Sequence, residues 1–555
     1  MKKIKIDTVM VLVAFAIAAA IAVLLHGRFL GIDDAHIFFS YAENLASGRG
    51  ITYSNNGVPV EGCTSMLWLV MCAINFYVGF NETGILVCAV ALLLATQFIW
   101  LSIIDKLAVR ASVSPATGKM IYATLMLSSV CYFSWMAASL MDCVLWGFVI
   151  AGMAYVLMNS FECSRMRVSV GVGVFAMAPW VRPEAMLVGS ACIFLMLVWR
   201  ISHRKKFFGV LLIAFAFCIS LAALTVFRIW YFGYPLPNTY YAKVSPSMAY
   251  NIAEGLHYAF KYACSSIVVP LFGACAVAGI IFAIRRRAIV EDHLLWAWCV
   301  VACLPPVLAG GDHFQMFRFF QPAYPMVCAL LSILLARLAA PVVQKYGIAA
   351  VTLVLLVVCL FLWNRPFSWL EEFSKEPACG KFLRNEVLLA EHEMEMGCKL
   401  ARLFGSDVRP PNLGVFPAGG IARSYPGKVV DLLGLNNVEI AHFPGKRRGF
   451  KNHAAFEPAI FNRLGVEAMA FSPNCSEARQ FLKGLCDSPD FASKFRFGRI
   501  SRKAGSEHMD MMVSRQYLQL LFSTGKFDFQ DLIEYKDGSW KDVAADSMSG
   551  KSVYN

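Results

Sequence analysis

Two adjacent carboxylates, Asp33 and Asp34, open the stretch GIDDAHIFFSYAENL, which follows directly on an apolar segment. Acidic residues in the first turn of a helix interact favourably with its dipole and can cap its free amides, which is a purely structural role. One Asp would suffice as a cap, so the presence of a second indicates a further role for the pair. A carboxylate beside a substrate hydroxyl can take its proton, and the pair is therefore a candidate for general base catalysis.

Further charged side chains recur in short segments at the edges of later apolar runs. The carboxylates are Glu61, Asp142, Glu184 and Asp312, the cations are Arg182, Lys243 and Arg318, and a Pro- and Tyr-rich loop adds Asn238 and Tyr240. Transfer from a phosphorylated lipid requires a base for the acceptor hydroxyl and cations for the departing phosphate. Structural interpretations stay open for Asp142 as a solvated turn residue and for a mutual Arg182–Glu184 pair.

His36 and His313, together with the two Asp residues, could imitate a metal site, but the sequence shows no metal-ligand spacing. Two adjacent acids permit a divalent ion, whereas the missing spacing argues against one. We therefore expect neither a metal nor another cofactor.

The chain's composition indicates which elements must position these residues. Of its 555 residues 58% are hydrophobic, with a mean hydropathy of +0.58, whereas soluble domains are roughly 45–50% apolar. Apolar runs long enough to cross a bilayer recur up to Trp363 and predict about 11 transmembrane helices. We predict a polytopic α-helical membrane domain over residues 1–364 and a soluble α/β domain over residues 365–555.

The positive charge is distributed as in a membrane protein. The net charge is +13, but many Lys and Arg residues lie in short clusters between apolar runs, which is the positive-inside pattern and not a nucleic-acid surface. No small-residue cleavage site precedes Arg28, so we expect the first apolar run to be an uncleaved span. This orientation predicts a multi-pass protein of the bacterial inner membrane whose charged loops and C-terminal domain face the periplasm.

The first outer loop, residues 28–83, contains an apolar segment from Thr64 to Phe80 that looks long enough to span. Counting it as a crossing would invert every later basic cluster relative to the N-terminus. We therefore predict an interfacial or re-entrant segment in a structured loop.

The C-terminal domain carries short apolar runs at 413–416 and 428–433, flanked by Gly and Pro, which predict strands. Cys379, Cys398, Cys475 and Cys486 could form two disulfides there, with three possible connectivities. The polar segment after about Gln530 is expected to be flexible.

In this order the segments resemble the polytopic glycosyltransferases of the GT-C class, and among them the arabinofuranosyltransferases of mycobacterial cell-wall arabinan and their pilin-modifying relatives. The similar motifs are 33–35, 41–45, 48–50, 60–62 with 64–65 and 67–68, 182–184, 237–243, 310–312 with 318–319 and Pro322, 430–435 and 440–441. They cover most of the chain to about His453. Three positions depart from the pattern: Cys63 replaces an aromatic residue, Asp142 replaces a Glu, and only His453 and its neighbours remain of a tail motif.

The resemblance implies transfer of a sugar, D-arabinofuranose, from a polyprenyl-phosphate donor in the membrane to a hydroxyl of a glycan or protein, with inversion. By that likeness Asp33 is the general base, while Asp34, Asp142 or Glu61 orients the acceptor. Arg182, Lys243 and Arg318 hold the phosphate, and Glu184, Asn238, Tyr240, Asp312 and His453 are further site candidates. A hexose or aminosugar donor is the alternative within this chemistry, and a polyprenyl-lipid flippase or a non-catalytic scaffold is the alternative outside it.

Overall fold

The computed structural model describes residues 5–25, 31–54, 57–159, 165–265, 268, 273, 291–314, 316–363, 379–444, 456–482, 484–536 and 538–543. The helices of the first part are α1 (Ile6–Leu25), α2 (Asp33–Ala46), α3 (Met66–Tyr77), α4 (Glu82–Arg110), α5 (Pro115–Leu127), α6 (Val130–Phe133), α7 (Cys143–Asn159), α8 (Arg165–Val181), α9 (Ala185–Ser202), α10 (Phe208–Phe232), α11 (Asn238–Lys243), α12 (Met248–Ser265), α13 (Glu291–Ala302), α14 (Pro305–Leu308) and α15 (Tyr324–Trp363). A π-helix, Ser134–Ala138, follows α6, and a 3-10 turn, Gln321–Ala323, precedes α15.

Within this part of the chain, five helices are long and apolar enough to cross a membrane: Ile6–Leu25, Glu82–Arg110, Ala185–Ser202, Phe208–Phe232 and Gln321–Gly347. The predicted number of about 11 is therefore not confirmed. The apolar runs 120–139 and 264–284 are among the predicted spans. The first is interrupted where α5 ends at Leu127, and there the Ser128 hydroxyl bonds back to the Leu125 carbonyl at 2.7 Å. Most of the second lies outside the described residues.

The apolar segment of the first outer loop forms the short helix α3. Its 12 residues reach only about 18 Å at a rise of ~1.5 Å per residue, whereas the hydrocarbon core is ~30 Å thick. Ser65 caps α3 by accepting a hydrogen bond from the Trp68 N–H at 3.3 Å. As the charge pattern predicts, this segment does not reach across a bilayer, and it packs against α2 instead.

Helix α2 is an amphipathic helix whose side chains are largely buried. Phe38, Phe39, Tyr41 and Ala42 are in the core, where they meet α3 and the C-terminal domain. Its N-cap is Ile32, which makes no side-chain capping bond. Capping is therefore not what the two adjacent carboxylates do, and their oxygens are used elsewhere.

The C-terminal part is a mixed sheet with helices, as the strand pattern predicts. Its helices are α16 (Cys379–Phe404), α17 (Gly420–Ser424), α18 (Val438–His442), α19 (Ser476–Phe481), α20 (Pro489–Lys494) and α21 (Arg515–Ser523), and its strands are β1 (Leu413–Val415), β2 (Val429–Asp431), β3 (Ala468–Met469), β4 (Phe495–Arg502), β5 (His508–Ser514), β6 (Phe527–Lys536) and β7 (Ser539–Asp542). The strand order is β2-β1-β3-β5-β4-β6-β7, with β2, β1 and β3 parallel and the other pairs antiparallel. The carboxyl ends of the parallel strands share one edge, which is where such sheets bind ligands.

Two expectations for this domain need correction or restriction. The described part of the segment after Gln530 is not irregular, because β6 and β7 continue through it to Asp542 and pair in register; residues 544–555 lie outside the described residues. Among the described residues Cys398, Cys475 and Cys486 form no disulfide, and the Cys379 side chain lies outside them.

The sheet domain is held against α2 by loops from this edge. The Tyr53 hydroxyl donates to the Ala418 carbonyl, and the Tyr41 hydroxyl donates to Asn436 Oδ1 at 3.1 Å. Arg423, in α17, forms ion pairs with Glu43 and with Glu82. These contacts fix the sheet edge over the N-terminal turn of α2.

Candidate active site

Asp33 lies in the first turn of α2, buried against the sheet domain. Its carboxylate accepts hydrogen bonds from the N–H of Gly420 at 2.8 Å and of Gly419 at 3.1 Å. A side chain at position 419 would collide with the Asp33 backbone, so glycine permits this approach. Burial raises the pKa of Asp33 to about 6, although the two amides oppose the rise. Such a carboxylate is mostly ionised at pH 7 and is a stronger base than an ordinary Asp.

Asp34, the next residue, is held in its ionised form by a cation. Arg318 Nη1 lies 2.8 Å from its carboxylate, and the same guanidinium is bonded on another edge by Asp312. Burial alone would raise the pKa of Asp34, but Arg318 and Lys243 outweigh it and lower that pKa. Two neighbouring acids whose pKa values are pushed apart by their surroundings are suited to different roles.

Arg182, at the end of α8, is bonded by two carboxylates. Its Nη1 lies 3.0 and 3.1 Å from the two oxygens of Asp142, and its Nε lies 3.3 Å from Glu184. The mutual Arg182–Glu184 pair is therefore present. Asp142 is fully buried, so it is not a solvated turn residue. Both acids orient the guanidinium.

Lys243, the last residue of α11, differs from the two arginines. It forms no ion pair with any carboxylate in the part of the chain that the structure describes, although Asp34 and Asp312 act on it electrostatically. Burial and the neighbouring Arg318 lower its pKa. Helix α11 is positioned by its first residue, Asn238, whose amide donates to the carbonyls of Gly434 and Leu435 at 3.0 and 2.8 Å.

These side chains meet around a cavity of about 380 Å³, which we call the cation cavity. Its polar lining includes Asp34, Thr64, Asp142, Arg182, Glu184, Tyr240, Lys243 and Arg318, and its apolar lining includes Phe38, Leu187, Met248, Pro305 and Leu308. Each carboxylate in the lining is paired with an arginine. Lys243 is thus the cation whose charge is left for an incoming anion.

A second cavity of about 310 Å³, the carboxyl cavity, lies on the side of the sheet domain. Its acidic lining is Asp33, Asp34, Glu386, Glu393 and Asp431, and its apolar lining includes Phe314, Leu389, Met396, Phe416 and Phe471. Asp34, Ile37 and Leu435 line both cavities, whereas Asp33 lines the carboxyl cavity alone. The two adjacent acids therefore stand where the cavities meet.

Glu61 lies apart from both cavities in an ion pair that the sequence analysis missed. Its carboxylate lies 2.7 and 2.8 Å from Nη2 and Nε of Arg228, and both side chains are buried. A lone Arg within the apolar run of α10 was the available signal, because a charge at that depth requires a partner. The predicted acceptor-orienting role of Glu61 is not supported by contact with either cavity.

We expect Glu61→Ala to lower the free energy of unfolding by about 3–5 kcal/mol, because it leaves the Arg228 charge buried and unpaired. Denaturation of the purified protein in detergent measures this loss. The double variant Glu61→Leu with Arg228→Met should recover most of it, since the lone charge is removed. A double variant as unstable as Glu61→Ala would contradict the ion-pair explanation.

The remaining candidates are distributed as follows. Tyr240 lines the cation cavity, Asn238 supports α11, and Asp312 acts through Arg318. His453 lies outside the described residues. In the part of the chain that is described, no group of three or more His, Cys, Asp or Glu residues is arranged to hold a metal ion.

The architecture has known counterparts in solved structures, although no family model and no curated protein sequence matches the chain. The described chain combines helices long and apolar enough to cross a membrane with a C-terminal sheet domain. It is similar to ArnT from Cupriavidus metallidurans bound to undecaprenyl phosphate, with 12% identity, a TM-score of 0.53, and coverage of 91% of this chain and 97% of that chain. The apo form of ArnT gives 13% identity and a TM-score of 0.50 over 78% of this chain and 89% of that one. At this identity the likeness establishes the fold.

Proposed function

We propose that this protein is a membrane glycosyltransferase that moves a sugar, D-arabinofuranose, from a polyprenyl-phosphate donor to a hydroxyl acceptor. The observation that carries the proposal is the meeting of the cation cavity and the carboxyl cavity at Asp33 and Asp34. Donor phosphate and acceptor hydroxyl require opposite electrostatic surroundings, and two cavities with a shared wall supply them.

The donor occupies the cation cavity in this proposal. Lys243 contacts the phosphate directly, and Arg182 and Arg318 border it in fixed orientations. Apolar residues such as Leu187 and Leu308 line the same cavity, which suits a ligand whose hydrocarbon chain stays in the membrane. The ArnT structure with the same fold has undecaprenyl phosphate bound, which supports a lipid phosphate as the ligand class.

Transfer then takes place at the shared wall. Asp33 accepts the proton of the acceptor hydroxyl, whose oxygen forms a bond to the anomeric carbon of the sugar. The bond from that carbon to the phosphate oxygen breaks, and the polyprenyl phosphate leaves with the electron pair. Because attack and departure take place from opposite cavities, the anomeric configuration is inverted and no covalent sugar-enzyme intermediate forms. Asp34, held by Arg318, orients the reacting groups.

The sugar and the location are the finer parts of the proposal. D-Arabinofuranose follows from the motif resemblance, with a hexose or an aminosugar as the alternative. The basic clusters between apolar runs support an inner-membrane protein whose active site faces the periplasm.

A donor panel tests the proposal. Purified protein in lipid nanodiscs is incubated with synthetic polyprenyl-phosphate D-arabinofuranose, glucose, mannose and 4-amino-4-deoxyarabinose and with a mixture of neutral oligosaccharides. We expect release of polyprenyl phosphate from the arabinofuranose donor and glycosylation of an oligosaccharide. Turnover of another donor alone would replace the sugar assignment, and turnover of none would contradict the proposal.

The pH dependence follows from the pKa of the base. Because Asp33 must be ionised to accept a proton and its pKa is about 6, we expect kcat/KM to fall as pH is lowered through 6. Below that value it should fall about tenfold per pH unit, since the ionised fraction does. A profile that stays flat from pH 7 to pH 4.5 would contradict this role of Asp33.

A further inference from the structure

Helix α16 presents one face to the carboxyl cavity. Glu386, Leu389, Glu393 and Met396 follow one another at steps of three, four and three residues, and all four line the cavity. This spacing places them in one row along the helix. The motif resemblance assigned nothing to this helix, and the mechanism above does not use its two carboxyl groups.

Both glutamates lack partners within the described chain. Glu393 is only 2% exposed and Glu386 is partly buried, yet neither forms a hydrogen bond or an ion pair with another described residue. Burial raises the pKa of Glu386 to about 8 and that of Glu393 to about 9. Near pH 7 each is therefore a carboxylic acid that can both donate and accept a hydrogen bond. A buried polar group without a partner is costly, which indicates that a ligand completes the pair.

The opposite wall is aromatic and lies at the carboxyl edge of the parallel strands. Phe416 follows β1, Phe471 follows β3, and their rings are stacked with centroids 4.4 Å apart. Phe481 lies 5.3 Å from Phe416 on the same side. Aromatic faces opposite hydrogen-bonding groups suit a ligand with both apolar C–H faces and hydroxyl edges.

The charge of the lining excludes one class of ligand. Five carboxyl-bearing residues and no Lys or Arg are among the described residues that line this cavity. Asp431 is already satisfied by the N–H groups of Leu433 and Asn436, both at 2.8 Å, so it shapes its loop. A phosphate or carboxylate entering here would meet the ionised Asp33, which no Lys or Arg of the described lining pairs, whereas Asp34 is already paired with Arg318 and His313 is the only basic side chain in the described lining.

We propose that the carboxyl cavity is the acceptor site and that it takes the terminal sugar of an uncharged glycan, with Glu386 and Glu393 bonded to its hydroxyls. This inference rests on the transferase function proposed above. The bound sugar would lie between α16 and the Phe416–Phe471 wall, with one hydroxyl directed at Asp33. Glu386 and Glu393 are thereby specificity-determining residues, and phosphorylated acceptors are disfavoured.

A binding experiment without donor tests the site separately from the reaction. Fluorescently labelled arabino-, manno- and galacto-oligosaccharides, and the same compounds carrying a terminal phosphate, are titrated onto the full-length protein in nanodiscs. We expect at least one neutral oligosaccharide to bind, and its phosphorylated form to bind at least tenfold more weakly. Tighter binding of the phosphorylated form, or no binding of any neutral oligosaccharide, would overturn the proposal.

Matched variants assign the binding to the cavity. Glu393→Met and Glu386→Met keep the side-chain length and remove both hydrogen-bonding oxygens, and Phe471→Ala alters the opposite wall, so that one poorly folded variant does not decide the outcome. Each should weaken oligosaccharide binding at least tenfold. The control is Glu395→Met on the same helix, whose side chain is 61% exposed and paired with Lys399, and it should bind as wild type does. Unchanged binding in all three cavity variants would contradict the site.

Kinetics separate failure of this site from failure of the proposed function. With an active donor, Glu393→Met should raise KM for the glycan while kcat and KM for the donor stay within twofold of wild type. If the glycan binds through these residues but no donor turns over, the transferase proposal fails and the glycan site stands. If donors turn over with KM for the glycan unaffected by all three variants, the acceptor site fails and the transferase proposal stands.

Discussion

Asp33→Asn should lower kcat for sugar transfer by about 10²- to 10⁴-fold, the range typical of a lost general base. The amide has nearly the size of the carboxylate, and its oxygen can still accept the Gly420 N–H that holds the sheet domain in place. It cannot take the proton of the acceptor hydroxyl near neutral pH. Donor binding should be preserved, since Asp33 does not line the cation cavity. Measurement of kcat and of the Kd for undecaprenyl phosphate separates the two effects.

A control is needed for Asp33→Asn because Asp33 also has a docking role. Asp33 also anchors the loop that contains Gly419 and Gly420, so loss of domain docking could imitate loss of the base. Tyr53→Phe removes a neighbouring docking bond, from the Tyr53 hydroxyl to the Ala418 carbonyl, without changing the base. It should retain activity within about fivefold, the loss expected from one neutral hydrogen bond of ~1 kcal/mol. Equal losses in both variants would make Asp33 a docking residue, and full activity of Asp33→Asn would exclude it as the base.

Lys243→Met should lower kcat/KM for the lipid-phosphate donor roughly 10- to 100-fold, which corresponds to a lost charge-assisted hydrogen bond of about 1.5–3 kcal/mol. Arg182 and Arg318 are each bonded to two carboxylates, whereas Lys243 has no ion pair within the described chain. Its charge is thus the most available for a phosphate. Methionine keeps about the length of the side chain and removes the ammonium group, both its charge and its hydrogen-bond donors. Binding of undecaprenyl phosphate and steady-state kinetics measure the effect.

A lysine outside the site provides the matched comparison. Lys399 is exposed on α16 and paired with Glu395, so Lys399→Met should leave donor binding unchanged. The Lys243 variant should also lose the salt dependence that a direct contact between a phosphate and an ammonium produces. Unchanged donor affinity in Lys243→Met would place the phosphate elsewhere.

Much of the membrane part could be predicted because its signals are local. Apolar runs, basic clusters and helical spacing predict helices where α1, α2 and α4 lie, with spans over 8–25 and 84–104 at the positions of α1 and α4. The short helix α3 could also be predicted as a segment that does not span, because counting it as a crossing would invert every later basic cluster relative to the N-terminus. The predicted total of about 11 spans is not confirmed. Helix length and continuity depend on packing and on serine side chains that bond to the backbone, and these are not evident from apolar runs.

The site was predictable in its residue types but not in its pairing. Asp34, Arg182, Lys243 and Arg318 do line one cavity, as their common position at the outer ends of spans suggests. The sequence could not predict contacts between residues hundreds of positions apart, such as the hydrogen bond between Asp33 and Gly420. Such contacts depend on how the sheet domain docks, and no local pattern encodes them.

The carboxyl cavity was missed for the same reason. Glu386 and Glu393 resemble ordinary charged positions of an amphipathic helix, and only the approach of the β1 and β3 loops encloses them. The ion pairs of Asp142 and Glu61 were not predictable either. Their acidic character suggested acceptor contacts, which stay a prediction, and the structure shows each buried beside an arginine whose charge it neutralises, with Asp142 also in the lining of the cation cavity.

Proteoliposomes loaded with polyprenyl-phosphate arabinofuranose labelled in the sugar test the central claim most directly, because they separate transfer from transport. A neutral oligosaccharide is supplied on the side of the C-terminal domain, and the labelled sugar and the polyprenyl phosphate are followed together. We predict that one polyprenyl phosphate is released for each sugar joined to the oligosaccharide, with inverted anomeric configuration, and that Asp33→Asn abolishes both. Movement of intact donor across the bilayer without release of polyprenyl phosphate would contradict a transferase and identify a lipid transporter.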